Sequence, residues 1–238
     1  MKNVAVWIVV LLVILVAVGE AKSNAGAEVC FPYMDTERTY YLFEPEGLGE
    51  SPPVLVLLHG SGRRGDSLIK PWKKLAEEEK ILLVAPNSAD PMVWSPFADP
   101  APFIRLALNH VSKTRSFDRN RIYLFGHSGG AVWALQLGML ASKEIAAVAV
   151  HAGLIPEEAF AVIDQAKRKT PVLIQVGDRD RYFPIDAVQV TVDYLKGAGF
   201  DPELTIIPKH DHDYYSEAKK INLVAWEFLK QHTLSSEE

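Results

Sequence analysis

Two short stretches of the chain hold residue types that do chemistry when placed together. Gly126-His127-Ser128-Gly129-Gly130 sets a serine between glycines. Pro208-Lys209-His210-Asp211-His212-Asp213-Tyr214-Tyr215 packs two histidines and two aspartates into four consecutive positions. A serine hydroxyl is a weak nucleophile until a neighbouring base takes its proton, and that base is most often a histidine held by a carboxylate. Interleaved His and Asp could instead bind a metal. A metal-dependent hydrolytic site would want the pattern H-x-H-x-D-H, but Tyr214 follows Asp213, and no other cluster offers ligand spacing. The second stretch therefore reads as one that moves protons, with His212 as the base and His210 as the fallback. No metal or cofactor is expected.

The serine stretch is G-x-S-x-G, preceded by the β-rich run Ile122–Phe125 and followed by the helix former Ala131–Leu135. Strand, turn and helix in that order give the motif its meaning. A serine there sits on a sharp strained turn, and glycines at 126 and 130 avoid the collisions a Cβ would cause. The free N–H groups of the following helix face any negative charge that develops near Ser128. Upstream, the run Val54–Leu58 ends in His59-Gly60-Ser61-Gly62. The backbone N–H groups of Ser61 and Gly129 are the expected oxyanion donors. Chain order then asks for an acid between serine and histidine. Asp178 and Asp180 compete in the loop after Val172–Val176. Asp178 stands at the strand end, where an aspartate caps its own turn. Asp180 lies further out, where it can reach a histidine on the next loop.

These residues need a scaffold that brings several strand ends to one edge. Strand candidates are Arg38–Phe43, Val54–Leu58, Ile81–Ala85, Ile122–Phe125, Ala147–His151, Val172–Val176 and Leu204–Ile207. Several are apolar on both faces, as buried parallel strands are. Helical periodicity falls between them, at Leu68–Lys80, Phe103–Thr114, Ala187–Leu195 and Ile221–Leu229. The alternation predicts an α/β fold, a mostly parallel doubly wound sheet with helices on both faces and the first strand antiparallel at the edge. Ligands bind such sheets outside the carboxyl ends of the strands. The irregular, proline-rich segment from Pro86 to Pro102 leaves one of those ends. Its Trp94 is the leading aromatic candidate for a substrate pocket, with His59 and Tyr182 as further possible contacts. Phe97, Trp133 and Tyr214 are as consistent with packing, Trp133 most of all. For His151, at a strand end, a packing or turn role is expected.

The 238 residues are 48% hydrophobic and 23% charged with a net charge of -5, a balance that fills a core and offers no nucleic-acid surface. One cysteine, Cys30, excludes an internal disulfide and is expected to be buried and inert. Lys2 precedes an apolar run from Val4 to Val18. At about 15 residues it suits a signal peptide better than a spanning helix. Ala25-Gly26-Ala27 offers a cleavage site that would start the mature chain near Glu28, and a cut after Ala21 is the second option. The expected organisation is a signal peptide over residues 1–27 and one catalytic domain over 28–238. The protein would be exported, periplasmic or secreted, with membrane attachment only if that segment is retained.

The pieces His59-Gly60, Gly126-His127-Ser128-Gly129-Gly130, Gly177-Asp178-Arg179-Asp180 with Pro184, and Asp211-His212-Asp213-Tyr214-Tyr215 resemble the serine α/β-hydrolases. They are most similar to compact exported esterases of the polyhydroxybutyrate depolymerase, feruloyl esterase and S-formylglutathione hydrolase (esterase D) kind. The resemblance covers nearly all of the chain after the N-terminal segment and implies no large cap domain. It implies a catalytic set of Ser128, Asp180 and His212 and a small-molecule ester as substrate. Paired cysteines and binding modules of polymer-degrading members are not seen. Three other readings remain: a peptidase of the same fold, akin to prolyl oligopeptidase catalytic domains; an inactive hydrolase-fold binding module; and dienelactone-hydrolase chemistry. The last prefers a cysteine nucleophile, whereas the elbow carries Ser128 and the thiol lies far upstream.

Overall fold

The computed structural model describes residues 26–235. The apolar run from Val4 to Val18 and the cleavage option after Ala21 lie outside them. Eight strands form one sheet: β1 (Ala27–Tyr33), β2 (Thr36–Phe43), β3 (Val54–Leu58), β4 (Leu82–Pro86), β5 (Ile122–His127), β6 (Ala147–His151), β7 (Val172–Gly177) and β8 (Glu203–Ile207). Their spatial order is β1-β2-β4-β3-β5-β6-β7-β8. β1 pairs with β2 and β2 with β4 antiparallel; every other pairing is parallel. Helices α1 (Asp66–Glu79), α2 (Ala101–Val111), α3 (Gly129–Leu140), α4 (Ala161–Asp164), α5 (Ile185–Gly197) and α6 (Tyr214–Leu229) connect or follow the strands. Among the described residues no helix is long and apolar enough to cross a membrane.

Inner strands β3 to β7 are buried at every position, so side chains alternate between two cores rather than between core and water. Val54, Val56 and Leu58 of β3 join the core under α2, α3, α4 and α5, while Leu55 and Leu57 join the core under α1 and α6. Helix α3 packs on β5, β6 and β3 and is apolar nearly all round, as a helix at the centre of a layer must be. Gly138 lets it approach closely, since a Cβ there would stand 2.4 Å from a Val148 methyl.

Two expectations change. The strand over Arg38–Phe43 is antiparallel but not at the edge, because β1 lies outside it. β1 escapes sequence reading because it buries almost nothing: Phe31 alone is fully covered, and Pro32 is a residue that edge strands tolerate. Cys30, expected inside, is exposed on this strand, since an edge strand with one covered face has few interior positions.

Candidate active site

Every residue singled out for chemistry comes from a loop at the carboxyl end of a parallel strand. β5 ends at His127, and the chain reverses at once into α3 through Ser128 at φ 56°, ψ -123°. A non-glycine residue rarely adopts that conformation, which costs about 1–3 kcal/mol and persists only where surroundings impose it. They do so here by close packing. A Cβ on Gly126 would meet the Gly130 carbonyl oxygen at 2.3 Å, and one on Gly130 would meet that of Leu58 at 2.0 Å. The Ser128 amide donates to the His151 carbonyl at 3.1 Å, tying the elbow to β6.

The turn aims Ser128 Oγ at His212 Nε2, 2.9 Å away, and His212 Nδ1 lies 2.8 Å from Asp180 Oδ2. A carboxylate only accepts, so the Nδ1–H of His212 donates to it, leaving Nε2 free to accept the serine proton. Asp180 is buried, and its other oxygen accepts from the amides of Tyr182 at 2.9 Å and Phe183 at 3.0 Å. The capping role assigned to Asp178 thus falls to Asp180, which holds its own loop and His212 together. Asp178 is exposed beside the cleft. The two loops meet because Gly177 lacks a Cβ that would sit 2.2 Å from the His210 carbonyl oxygen, which accepts from Arg179 N at 2.9 Å.

The β3 loop approaches from the other side. A Cβ on Gly129 would fall 2.7 Å from Ser61 Oγ and 3.6 Å from its amide nitrogen, so the Ser61 loop packs against the start of α3 beside Ser128. His59 is buried beneath this loop. Its Nε2 accepts from Ser88 N at 3.1 Å, so its Nδ1–H donates to the Gly60 carbonyl at 3.0 Å. Burial lowers its pKa and keeps it neutral. Trp94, expected in the pocket, is 7% exposed; its ring stands 4.9 Å from that of His59 and its Nε1–H donates to the His59 carbonyl at 2.8 Å. A large apolar ring with one donor is best buried where a strand-end carbonyl lacks a partner, and Trp94 does that. Both residues pack beneath the loop that carries Ser61, and neither lines the cleft over Ser128, although His59 borders a smaller cleft beside it.

A cleft of about 990 Å³ opens over the triad, lined by Ser61, Arg63, Ser128, Tyr182 and His212 among others. Tyr182 is 76% exposed with its ring 4.8 Å from that of His212. Phe97, 94% exposed, is not among the lining residues, and Trp133 is core. Tyr214 backs the cleft, fully buried, its hydroxyl donating to Asn222 Oδ1 at 2.7 Å. The Pro86–Pro102 segment borders a second cleft, of about 440 Å³, through Asn87, Ser88, Ala89 and Pro91, and Arg63 lines both. Among the described residues no group of three or more His, Cys, Asp or Glu is arranged to hold a metal ion.

A family model for dienelactone hydrolases matches residues 90–231, more than half of the sequence, including all three residues of the hydrogen-bonded set. The chain belongs to the dienelactone hydrolase family. Membership places it among the serine α/β-hydrolases, and the elbow position of this chain carries Ser128 and not a thiol. No curated protein sequence matches it significantly. Solved structures share the fold. A protein described as a dipeptidyl aminopeptidase IV from Bacteroides ovatus is 13% identical with a TM-score of 0.73, over 87% of this chain and 35% of that one. A thermostable esterase is 20% identical with a TM-score of 0.71, over 88% of this chain and 64% of that one. A ferulic acid esterase is 18% identical with a TM-score of 0.67, over 85% of this chain and 98% of that one. This family member therefore spans about a third of the first and just under two thirds of the second.

His210, the fallback base, is 5% exposed and turned away from Ser128, its Nε2 3.0 Å from His151 Nε2. His127 Nδ1 in turn lies 3.1 Å from His151 Nδ1. Sequence reasoning passed over His127 as the variable position of the motif. The available signal was that β5 and β6 each end in histidine, and in register the two are paired.

Proposed function

We propose that this protein is a serine esterase that cleaves carboxylic esters through an acyl-enzyme on Ser128. The observation that carries this reading is the chain Ser128 Oγ–His212 Nε2–His212 Nδ1–Asp180 Oδ2, with contacts of 2.9 and 2.8 Å. Ser128 Oγ attacks the ester carbonyl as its proton passes to His212 Nε2. Asp180 holds the ring in the tautomer that can accept and stabilises the imidazolium. The carbonyl oxygen becomes an oxyanion between the Ser61 and Gly129 amides, each donor typically contributing about 3 kcal/mol of barrier lowering. As the tetrahedral intermediate collapses, the C–O bond to the alcohol breaks and His212 returns the proton to the departing oxygen. A water then gives its proton to His212 and attacks the acyl carbon, and Ser128 leaves reprotonated. No cofactor enters the cycle.

An open cleft of about 990 Å³ suits a small-molecule ester approached from solvent. Esterases and peptidases both share this fold, and the peptidases are much longer chains, which favours the ester reading. Export by a cleaved signal is part of the proposal. The mature chain would begin near Glu28 after a cut at Ala27, and a cut after Ala21 is the second option, which would keep the pairing of Ala27 with Leu42. Turnover of p-nitrophenyl acetate, butyrate and octanoate beside matched anilides tests the reading. Ester turnover that vanishes in Ser128→Ala supports it; cleavage of anilides alone contradicts it.

A further inference from the structure

Behind the triad runs a second chain of hydrogen-bonded rings made of histidines. His127 Nδ1 is 3.1 Å from His151 Nδ1, and His151 Nε2 is 3.0 Å from His210 Nε2. All three are buried. An N···N contact needs one N–H and one lone pair. A neutral imidazole has one of each, so neutral His151 satisfies both contacts, donating through one nitrogen and accepting through the other. Burial first, and the neighbouring histidines next, push His127 down to about 3 and His151 to about 2, so both stay uncharged.

The ends of this chain are sequence neighbours of the triad. His127 precedes Ser128, and its ring centroid lies 5.0 Å from that of His212. His210 precedes His212 by two residues, and its carbonyl accepts from Arg179 N on the acid loop. His151 adds a backbone link, its carbonyl accepting from Ser128 N. The elbow and the base loop therefore meet on one imidazole, and the acid loop joins the base loop through its backbone. An apolar side chain at 151 would fill the space yet leave buried nitrogens of His127 and His210 unpaired, which is costly.

We infer that His151 is a positioning residue for the triad: bonded to His127 and His210, its ring sets the distance between the elbow and the base loop and so keeps His212 Nε2 within reach of Ser128 Oγ. The inference rests on the esterase reading above. Misplacement of a reacting group by an ångström costs on the order of a hundredfold in rate, so a partial slackening should be readily measured.

The experiment pairs His151→Leu with His151→Gln, whose carboxamide restores one donor and one acceptor. Wild-type protein is first treated with a fluorophosphonate. Failure of folded wild type to label on Ser128 refutes the esterase reading and leaves the histidine chain to be judged by NMR. With labelling established, His151→Leu, assayed well below its own Tm, is expected to lose about tenfold or more in kcat with KM within about twofold. His151→Gln is expected to recover most of that loss. Side-chain 15N NMR of wild type near pH 6 should show His127 and His151 neutral and His151 bonded through both nitrogens. Wild-type kcat in His151→Leu, or no recovery in a folded His151→Gln, overturns the inference. If His151→Leu does not fold, His151→Gln and the NMR tautomers decide, and a charged His151 or one without two bonded nitrogens overturns it.

Discussion

Asp180→Asn separates the two tasks that the structure gives one carboxylate. Asp180 Oδ1 accepts from the Tyr182 and Phe183 amides, and Oδ2 accepts from His212 Nδ1. Two fixed backbone donors dictate how an asparagine must sit. Its carbonyl oxygen takes the Oδ1 place, and its NH₂ then points at His212. Facing a donor, His212 Nδ1 must accept, so its proton moves to Nε2, where it blocks receipt of the Ser128 proton. The loop keeps its bonds while the base is held in the wrong tautomer. The expected loss is about 10⁴ in kcat, or about 5.5 kcal/mol of barrier, with little change in Tm. Asp180→Ala instead removes the acceptor of two part-buried amides at about 1 kcal/mol each, together a Tm fall of about 4–8 °C. Ester turnover and thermal melts of both variants, with Asp178→Asn as the control, check the reasoning. Asp180→Asn retaining more than a tenth of wild-type kcat, or melting as low as Asp180→Ala, would refute it.

Further predictions concern packing and acid stability. Gly130→Ala places a Cβ 2.0 Å from the Leu58 carbonyl oxygen, backbone that cannot move without shifting β3, so the variant should lose about 1–3 kcal/mol or more and turnover with it; an unchanged denaturant midpoint would argue against the tight elbow. His127 and His151 have folded-state pKa values depressed to about 3 and 2, so below about pH 6.5 the unfolded chain binds protons that the folded chain refuses. Stability is then fully present above pH 6.5 and falls on acidification, by about 1.4 kcal/mol per pH unit for each histidine, until the folded rings protonate. Melts from pH 7 to 5 should show the decline, and His151→Gln should lessen it. A flat profile would mean these rings titrate normally.

The inner strands were legible because burial on both faces leaves an unbroken apolar signature. Val54–Leu58 and Ala147–His151 agree with the structure residue for residue. β1 was not, because a strand that buries only Phe31 has no periodicity to read, and α4 is a single turn. The elbow could be read because strand, glycines and helix must occur together for a serine to hold φ 56°. What sequence could not supply was direction. His59 adjoins the Ser61 loop in sequence and Trp94 folds back onto it, and their ring donors and acceptors satisfy backbone groups there while neither lines the cleft over Ser128. His210 and His212 are two residues apart, and only the folded loop decides that one ring meets Ser128 and the other meets His151.

The most direct test of the account is fluorophosphonate labelling of purified protein, read by peptide mass spectrometry in wild type and in His212→Ala. A mass shift is expected on the peptide carrying Ser128 in wild type, with its loss in folded His212→Ala. Labelling at another residue, or none on folded wild type, would contradict it.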